Sequence, residues 1–323
     1  MRPISAPLVP SAELAALWQD RARRPLLVDC SFDLADLDAG PWTYAAAHLP
    51  GAAYLHLEND LSGPRSGHNG RHPLPAAERF VATMAELGCD DDRHVVAYDN
   101  AGGMYAARLW WMLRWVGHDA ASVLDGGSAA WRAAGLPFES GAAQPVGVRG
   151  AFSPRPTLTR SVARAALAAQ LGQDRCLIVD ARSAERYRGE NETIDPVAGH
   201  IPGAINRHFK DNLRVDGTFN PASQLRAEWL ALLGGREIAR VVSQCGSGVT
   251  ACHNLLALEI AGLGGAALYP GSWSEWCAQP GAPGATGAAA GGCRRLTPAR
   301  RRTSPEPTVR DPRSRRVRRA PAG

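Results

Sequence analysis

Cys245 is the residue whose sequence context best suits covalent chemistry. It opens the segment Cys245–Thr250, Cys-Gly-Ser-Gly-Val-Thr, which lies between a short apolar run and a helical pattern that begins at Ala251. Gly246 and Gly248 allow the backbone to fold around the sulfur and to aim its N–H groups inward. The positive end of the following helix favours thiolate over thiol. The segment therefore predicts a nucleophilic cysteine in an amide-lined anion site.

Two other signatures overlap this segment, and the residues around them argue against both. Residues 246–251 fit the Gly-x-Gly-x-x-Ala dinucleotide fingerprint, but the next strand, at 267–269, ends at Pro270 instead of an acidic residue. The phosphatase loop Cys-x5-Arg needs an arginine where this chain has Ala251. Neither nucleotide binding nor phosphoryl transfer is predicted at Cys245.

The elements that must position Cys245 occur twice along the chain. Four segments recur in the same order, with offsets of 144 to 152 residues: 27–29 at 178–180, 47–52 at 199–204, 95–99 at 241–245, and 127–128 at 271–272. Matches in a conserved order indicate a duplicated domain. In the repeat, Asp99 stands where the second copy has Cys245.

Each half alternates short buried strands with helices. Runs such as 26–29 and 95–99 are typical of buried strands, whereas 106–116 and 250–261 carry apolar residues at helical spacing. Strand, turn, helix and strand in this order predict an α/β fold, a mainly parallel sheet with helices on both faces. The predicted organisation is an N-terminal domain at 1–140, a linker at 141–156, a C-terminal domain at 157–277 and a disordered tail at 278–323.

The positive charge lies in the tail. The net charge is +5, but residues 294–323 hold eleven arginines against Glu306 and Asp311, so the tail carries +9 and residues 1–293 carry −4. An arginine-rich tail suits an arm that binds nucleic acid or an acidic partner, yet it has no aromatic residue for base stacking. A solvated extension, or the translation of a frameshifted end, is the favoured interpretation.

Cysteine usage and hydropathy indicate the cellular compartment in which the protein works. The seven cysteines include no Cys-x2-Cys pair, so neither a zinc site nor a disulfide framework is predicted. Cys30, Cys176 and Cys252 are interpreted as structural thiols. Neither a secretory signal nor an apolar run of membrane-spanning length is recognisable. We expect a cytoplasmic protein with free thiols, without a metal, a cofactor or a membrane partner.

The two halves resemble the tandem-domain sulfurtransferases of the rhodanese family over residues 8–277. The resemblance rests on the loop Cys245–Thr250, which is similar to that of the 3-mercaptopyruvate sulfurtransferase branch, and on His-Leu/Ile-Pro-Gly-Ala at 48–52 and 200–204. It implies two rhodanese-like domains, of which only the C-terminal one is catalytic. Asp99, which takes the place of the cysteine in the first half, is consistent with this expectation, because a carboxylate cannot form a persulfide.

The resemblance also implies a mechanism. Cys245 would take sulfur from 3-mercaptopyruvate or thiosulfate as a persulfide and pass it to cyanide or to a thiol such as thioredoxin. Backbone N–H groups of Gly246, Ser247, Gly248, Val249 and Thr250 would stabilise the charge. A non-catalytic sulfur carrier or interaction module is the alternative, and the sequence leaves the oligomeric state open.

Further site residues follow from the resemblance. Arg186 matches the arginine that binds the substrate anion, although by its sequence context alone it could be a surface charge. A second arginine is expected at Asp195, and Arg182 or Arg188 are candidates to replace it. Ser247 and His72 match the first two members of a serine–histidine–acid relay that protonates the pyruvate leaving group, with Glu58 near the position of the acid.

Overall fold

The computed structural model describes residues 6–142, 148–173, 176–288 and 294–295. Short strands alternate with helices in both halves, as the sequence predicts. The strands are β1 Leu8–Val9, β2 Leu26–Asp29, β3 Ala53–Tyr54, β4 Val95–Tyr98, β5 Ala121–Leu124, β6 Arg160–Ser161, β7 Leu177–Asp180, β8 Ile205–Asn206, β9 Val241–Gln244, β10 Ala267–Leu268, β11 Pro283–Gly284 and β12 Arg294–Arg295. The α-helices are α1 Ser11–Gln19, α2 Ala39–Ala46, α3 Ala77–Glu86, α4 Ala106–Trp115, α5 Gly127–Ala133, α6 Arg164–Ala168, α7 Ala184–Arg188, α8 Ala222–Leu233, α9 Thr250–Ile260 and α10 Ser272–Cys277, with 3-10 turns at Phe209–Asn212 and Ile238–Arg240.

Each half contains one five-stranded parallel sheet. The strand orders, β1-β5-β4-β2-β3 and β6-β10-β9-β7-β8, are the same order applied to successive copies of the unit. Every residue of β2, β4, β7 and β9 is buried, which explains why each strand begins with a run of apolar residues; β2, β7 and β9 end in polar residues at the carboxyl edge of the sheet. The predicted α/β class and the duplication are confirmed. Within the described residues no helix combines the length and apolar character needed to cross a bilayer.

Helices α4 and α9 pack against each other and join the two halves. Residues 106–113 and 251–258 are buried without interruption, because each helix is covered by its own sheet and by the other helix. At the rim, Arg114 of α4 forms an ion pair with Glu259 of α9 at 3.1 Å. The helix that begins at the Cys245 loop is therefore held by the opposite half of the molecule.

A buried arginine of α4 contributes to the same attachment. Arg108 is fully buried, and its guanidinium donates to the carbonyl oxygens of Leu61 and His72 and to that of Gly248, at 3.2 to 3.3 Å. Burying a guanidinium is costly unless its N–H groups are hydrogen-bonded. These bonds tie the His72 segment of the first half to the cysteine loop of the second.

The described part of the predicted linker lies against the N-terminal half. The N–H of Gly150 donates to the carbonyl of Ala85 at 2.8 Å, and the side chain of Phe152 is buried. The N–H of Ser153 donates to the carboxylate of Asp91 at 2.7 Å. Residues 148–153 therefore extend the packed surface of the first domain, and residues 143–147 lie outside the described residues.

The expectation that structure ends at Cys277 is wrong for residues 278–285. The indole N–H of Trp276 donates to the carbonyl of Pro283 at 2.7 Å, and Ala285 exchanges backbone hydrogen bonds with His200 at 2.8 and 2.9 Å. In the first half, Trp131 bonds to Pro137 and His48 pairs with Glu139 in the same way. These bonds use backbone acceptors, so the Gly/Ala/Pro composition concealed the last part of the repeat. Most of the remaining tail lies outside the described residues.

The loop after β4 shows what the first half has in the place of Cys245. The carboxylate of Asp99 is fully buried and accepts four N–H bonds, from Ala101 and Gly103 on Oδ1 and from Tyr105 and Ala106 on Oδ2, at 2.8 to 2.9 Å. The loop thus folds around a carboxylate supplied by its own first residue. It is an anion site that the chain itself occupies.

Replacing Asp99 with alanine is expected to lower the free energy of unfolding by at least about 3 kcal/mol, because four buried N–H groups lose their acceptor. Urea denaturation followed by circular dichroism measures the change. Asp92→Ala removes an exposed carboxylate of the same domain and serves as the control. A loss for Asp99→Ala no larger than for the control would contradict a structural role of the carboxylate.

Candidate active site

Cys245 lies at the carboxyl end of β9, at the floor of a cavity between the two halves. Its side chain is 2 % exposed, and the cavity volume is about 380 Å³. Parallel α/β sheets bind ligands at this edge. The first half contributes Leu34, Leu57, Arg71, His72, Met104 and Tyr105 to the wall, and the second half contributes Arg182, Ser183, Arg186, His208, Phe209, Lys210, Gly246, Ser247, Val249 and Thr250.

Gly248 shapes the loop, as the sequence predicts. Its φ is +79°, and a side chain there would collide with the carbonyl oxygen of Pro270. The N–H of Gly248 donates to Sγ of Cys245 at 3.2 Å. Its carbonyl accepts from Arg108 and from the thiol of Cys252, at 3.2 and 3.3 Å. Gly248 therefore lies behind the sulfur, whereas the other four loop residues line the cavity.

The remaining loop amides are free to bind an anion. Among the described residues, the N–H groups of Ser247 and Val249 donate to no protein atom. Their counterparts in the first half, Ala101 and Gly103, both donate to the carboxylate of Asp99. The two copies of the loop thus differ: the copy in the first half binds the carboxylate of its own Asp99, and the copy at Cys245 leaves the equivalent N–H groups of Ser247 and Val249 without a protein acceptor.

Ser272 belongs to the site and is absent from the sequence-based prediction. It is fully buried with φ +53°, a left-handed conformation that is costly for a residue with a side chain. Its Oγ accepts the N–H of Cys245 at 3.1 Å and donates to the carbonyl of Tyr269 at 3.0 Å. The hydroxyl offsets the backbone cost by fixing the cysteine at the end of its strand.

The register of the repeat at this turn differs by one residue from the predicted one. The N–H of Ser128 bonds to the carbonyl of the loop aspartate at 3.1 Å, and the N–H of Trp273 bonds to that of the loop cysteine at 3.0 Å. Ser272 therefore corresponds to Gly127, whose φ is +55°. A serine at the glycine position of a repeat was the signal that could have identified it.

The structure brings Ser247 and His72 together across the domain interface. Nδ1 of His72 lies 2.8 Å from Oγ of Ser247, within hydrogen-bond distance. The carboxylate of Glu58 lies 3.7 Å from Nε2, too far for a hydrogen bond, and forms an ion pair with Arg65. Nε2 is buried without a hydrogen-bond partner among the described residues. The serine–histidine contact is thus present, and the carboxylate stands close to it.

Burial keeps the His72 imidazole neutral. Loss of solvent, reinforced by the positive charges of Arg71, Arg108 and Arg65, lowers the pKa of His72 from 6.5 to about 2. The nearby Glu58 carboxylate does not reverse this shift. Any proton that crosses His72 near neutral pH must therefore pass through a neutral ring.

Arg186 lies in the wall beside the loop and is fixed by two carboxylates. Its guanidinium donates through Nε and Nη2 to Glu192 at 2.9 to 3.2 Å, and through Nη2 to Asp195 at 2.9 Å. Burial raises the pKa of the Glu192 carboxyl, but the bonds from Arg186 and from the N–H groups of Asp195 and Ile194 outweigh burial, so the pKa lies below its ordinary value. Nη1 of Arg186 makes no hydrogen bond within the described residues.

Neither arginine suggested as a replacement for the second anion-binding arginine is available. Arg182 is buried and donates to both carboxylate oxygens of Asp180, to the carbonyl of Gly199 and to Glu192. Arg188 forms its ion pair with Glu190 at the surface, at 2.7 Å. The residue that does reach the loop is Arg71, immediately before His72 in the sequence, and its partner is Asp195 at 2.6 Å.

Comparisons with known proteins agree with this geometry. A rhodanese-like domain model matches residues 11–134 and 163–279. The chain is 47% identical to a probable 3-mercaptopyruvate sulfurtransferase of Pseudomonas aeruginosa over 88% of this chain and 99% of that protein. It is 35% identical to the thiosulfate sulfurtransferase of Cricetulus griseus, over 72% of this chain and 78% of the relative.

A solved structure shows the same arrangement of domains. The 3-mercaptopyruvate sulfurtransferase from Leishmania major superposes with a TM-score of 0.74 at 31% identity, over 85% of this chain and 75% of that one. The matched ranges contain four of the five strands of each sheet and the Cys245 loop, while β1 and β6 lie just before them. The chain therefore belongs to the tandem-domain sulfurtransferases of the rhodanese family.

Proposed function

We propose that this sulfurtransferase takes sulfur from a small anionic donor, 3-mercaptopyruvate or thiosulfate, onto Cys245. One observation carries the proposal: Sγ of Cys245 shares a cavity with loop N–H groups whose counterparts bind a carboxylate in the other half. A thiolate next to unpaired N–H groups is suited to attack a donor and then to hold the charge of a persulfide. The N–H groups that would stabilise the negative charge and the proposed nucleophile therefore lie in the same loop.

The proposed transfer has two half-reactions. The Cys245 thiolate attacks the donor sulfur, the S–S bond to the cysteine forms, and the donor's C–S bond or S–S bond breaks to release pyruvate enolate or sulfite. Cyanide or a thiolate acceptor then attacks the outer sulfur, which leaves as thiocyanate or as the acceptor's persulfide and restores the Cys245 thiolate. Neither half-reaction requires an external oxidant or reductant.

The Ser247–His72 pair supplies the proton that the pyruvate enolate takes up. In this proposal the Ser247 hydroxyl gives its proton to the enolate while Nδ1–H of His72 replaces it, and Nε2 takes up a proton that enters from solvent through the Glu58 carboxyl group. The concerted order avoids an imidazolium, which the low pKa of His72 disfavours. Sulfite leaves thiosulfate as an anion and needs no such proton.

The acceptor must reach a sulfur that is almost fully enclosed. With 2 % of Cys245 exposed, the second half-reaction suits cyanide, a small thiol, or a protein thiol on a narrow protruding loop, as in thioredoxin. The six cysteines among the described residues are all free thiols. We place the reaction in the cytoplasm, where such thiols and thiol acceptors stay reduced.

Steady-state turnover of the full chain with each donor, using cyanide and a small thiol as acceptors, tests the proposal. We expect many sulfur transfers per chain, with a higher kcat/KM for 3-mercaptopyruvate than for thiosulfate, because only this donor uses the Ser247–His72 pair. Uptake of a single sulfur per chain without further turnover would instead support the non-catalytic carrier.

A further inference from the structure

Two guanidinium groups, one from each half, converge beside the Cys245 loop. A methyl group placed on Gly246 would lie 3.1 Å from Nη2 of Arg71 and 3.5 Å from Nη1 and Nη2 of Arg186. Both arginines line the cavity that contains Sγ of Cys245. Within the described residues, neither Nη2 of Arg71 nor Nη1 of Arg186 donates to a protein atom. Two N–H donors therefore face one point next to the nucleophile.

Asp195 holds this pair of arginines in place. Its side chain is 1 % exposed, and its two oxygens accept separate bonds, Oδ1 from Arg71 at 2.6 Å and Oδ2 from Arg186 at 2.9 Å. A carboxylate this deeply buried requires cationic partners. The backbone N–H of Arg71 is also fixed, since it donates to Oγ of Ser274 at 3.0 Å. Asp195 thus orients two side chains that come from different domains.

We propose that Arg71 and Arg186 together bind the carboxylate of a 2-oxo-acid donor, with Asp195 as the positioning residue. The inference rests on the proposed function and specifies its donor class. Two convergent guanidinium groups suit a planar carboxylate that accepts at both oxygens. In 3-mercaptopyruvate the carboxylate is two carbons from the sulfur, so sulfur at Sγ of Cys245 leaves the carboxylate near Gly246. Thiosulfate carries its charge next to the transferred sulfur and depends mainly on the loop amides.

Arg71→Met is the first test, measured as KM and kcat for both donors. Loss of a charged hydrogen bond is worth about 1.5–3 kcal/mol, so we expect KM for 3-mercaptopyruvate to rise about 30-fold and KM for thiosulfate to change less than about threefold. Arg114→Met is the matched control, because it removes another arginine–carboxylate pair between the halves, outside this cavity. Arg71→Lys keeps the charge without the planar fork and is expected to raise KM about tenfold.

Exchanging the charges of Arg71 and Asp195 tests the contact between them more directly. Arg71→Asp combined with Asp195→Arg returns one arginine and one carboxylate to the same contact. We expect its KM for 3-mercaptopyruvate to lie within about fivefold of wild type, while each single variant is impaired more than about 30-fold. Circular dichroism and thermal unfolding verify that every variant is folded.

The outcomes separate the inference from the function on which it rests. If the wild-type chain turns over 3-mercaptopyruvate while Arg71→Met and Arg71→Lys leave its KM as Arg114→Met does, the role of Arg71 is refuted and the proposed function stands. If KM rises equally for both donors, specificity for a 2-oxo acid is refuted. If the wild-type chain turns over neither donor, the proposed function itself fails.

Discussion

Replacing Cys245 with serine is expected to reduce sulfur release from both 3-mercaptopyruvate and thiosulfate by more than about 10⁴-fold, because a hydroxyl cannot form a persulfide. The variant is nearly isosteric, and the N–H of Gly248 can donate to an oxygen as it does to Sγ. The substitution therefore removes the chemistry and leaves the loop in place. Incubating the wild-type chain with donor in the absence of acceptor should add one sulfur atom, detected by intact-mass spectrometry.

Cys176→Ser is the matched control for this experiment. Of the six cysteines that the structure describes, Cys176 is half-buried and the others, Cys245 included, are buried, so an adventitious reaction of accessible thiols would affect Cys176 before Cys245. The control variant should retain wild-type turnover and the added sulfur. Retention of turnover in Cys245→Ser, or loss of the added sulfur in Cys176→Ser, would show that the nucleophile has been assigned to the wrong residue.

Local sequence was enough to predict the strand, loop and helix around Cys245, the proposed nucleophile. The strand before Cys245, the two glycines and the helix after it lie within one continuous segment, and each has a strong local preference. The aspartate in the corresponding place of the first half was visible for the same reason, since Asp99 lies in an equally local pattern. What the sequence did not show is that this carboxylate binds the N–H groups whose counterparts in the Cys245 loop have no protein acceptor.

The Arg71–Asp195 contact was not predictable, whereas the equally distant Ser247–His72 contact was expected only because of the family resemblance. Arg71 and Asp195 are far apart in the sequence, and nothing local to either residue indicates that they meet. Arg182 and Arg188, the arginines close to Asp195 in the sequence, both have other partners. The second arginine that contacts Asp195, Arg71, comes from the other domain, so its position depends on how the two halves pack. In the same way, the role of Ser272 depends on a backbone angle that no composition reveals.

Removing the Ser247–His72 contact is expected to slow the reaction with 3-mercaptopyruvate and to leave the reaction with thiosulfate nearly unchanged. For Ser247→Ala and for His72→Asn, we expect kcat with 3-mercaptopyruvate to fall about 10²-fold, the usual contribution of a positioned proton donor. With thiosulfate the change should stay within about threefold, because sulfite departs without a proton. Steady-state kinetics of each variant with both donors measures the difference. His72→Asn is informative because its amide can still reach Oγ of Ser247 but cannot pass on a proton.

Two further measurements show whether the pair acts as a unit. The double variant should be about as slow as either single variant, since removing one member already interrupts the relay. The pH dependence of kcat should contain no step near 6.5, because burial lowers the pKa of His72 to about 2 and the ring stays neutral as the pH falls through that range. A step near 6.5 that disappears in His72→Asn would mean that His72 works as an imidazolium, and the concerted relay through a neutral ring would have to be abandoned. Equal losses with both donors would instead assign Ser247 and His72 to the shape of the cavity, because thiosulfate has no use for the proton they deliver.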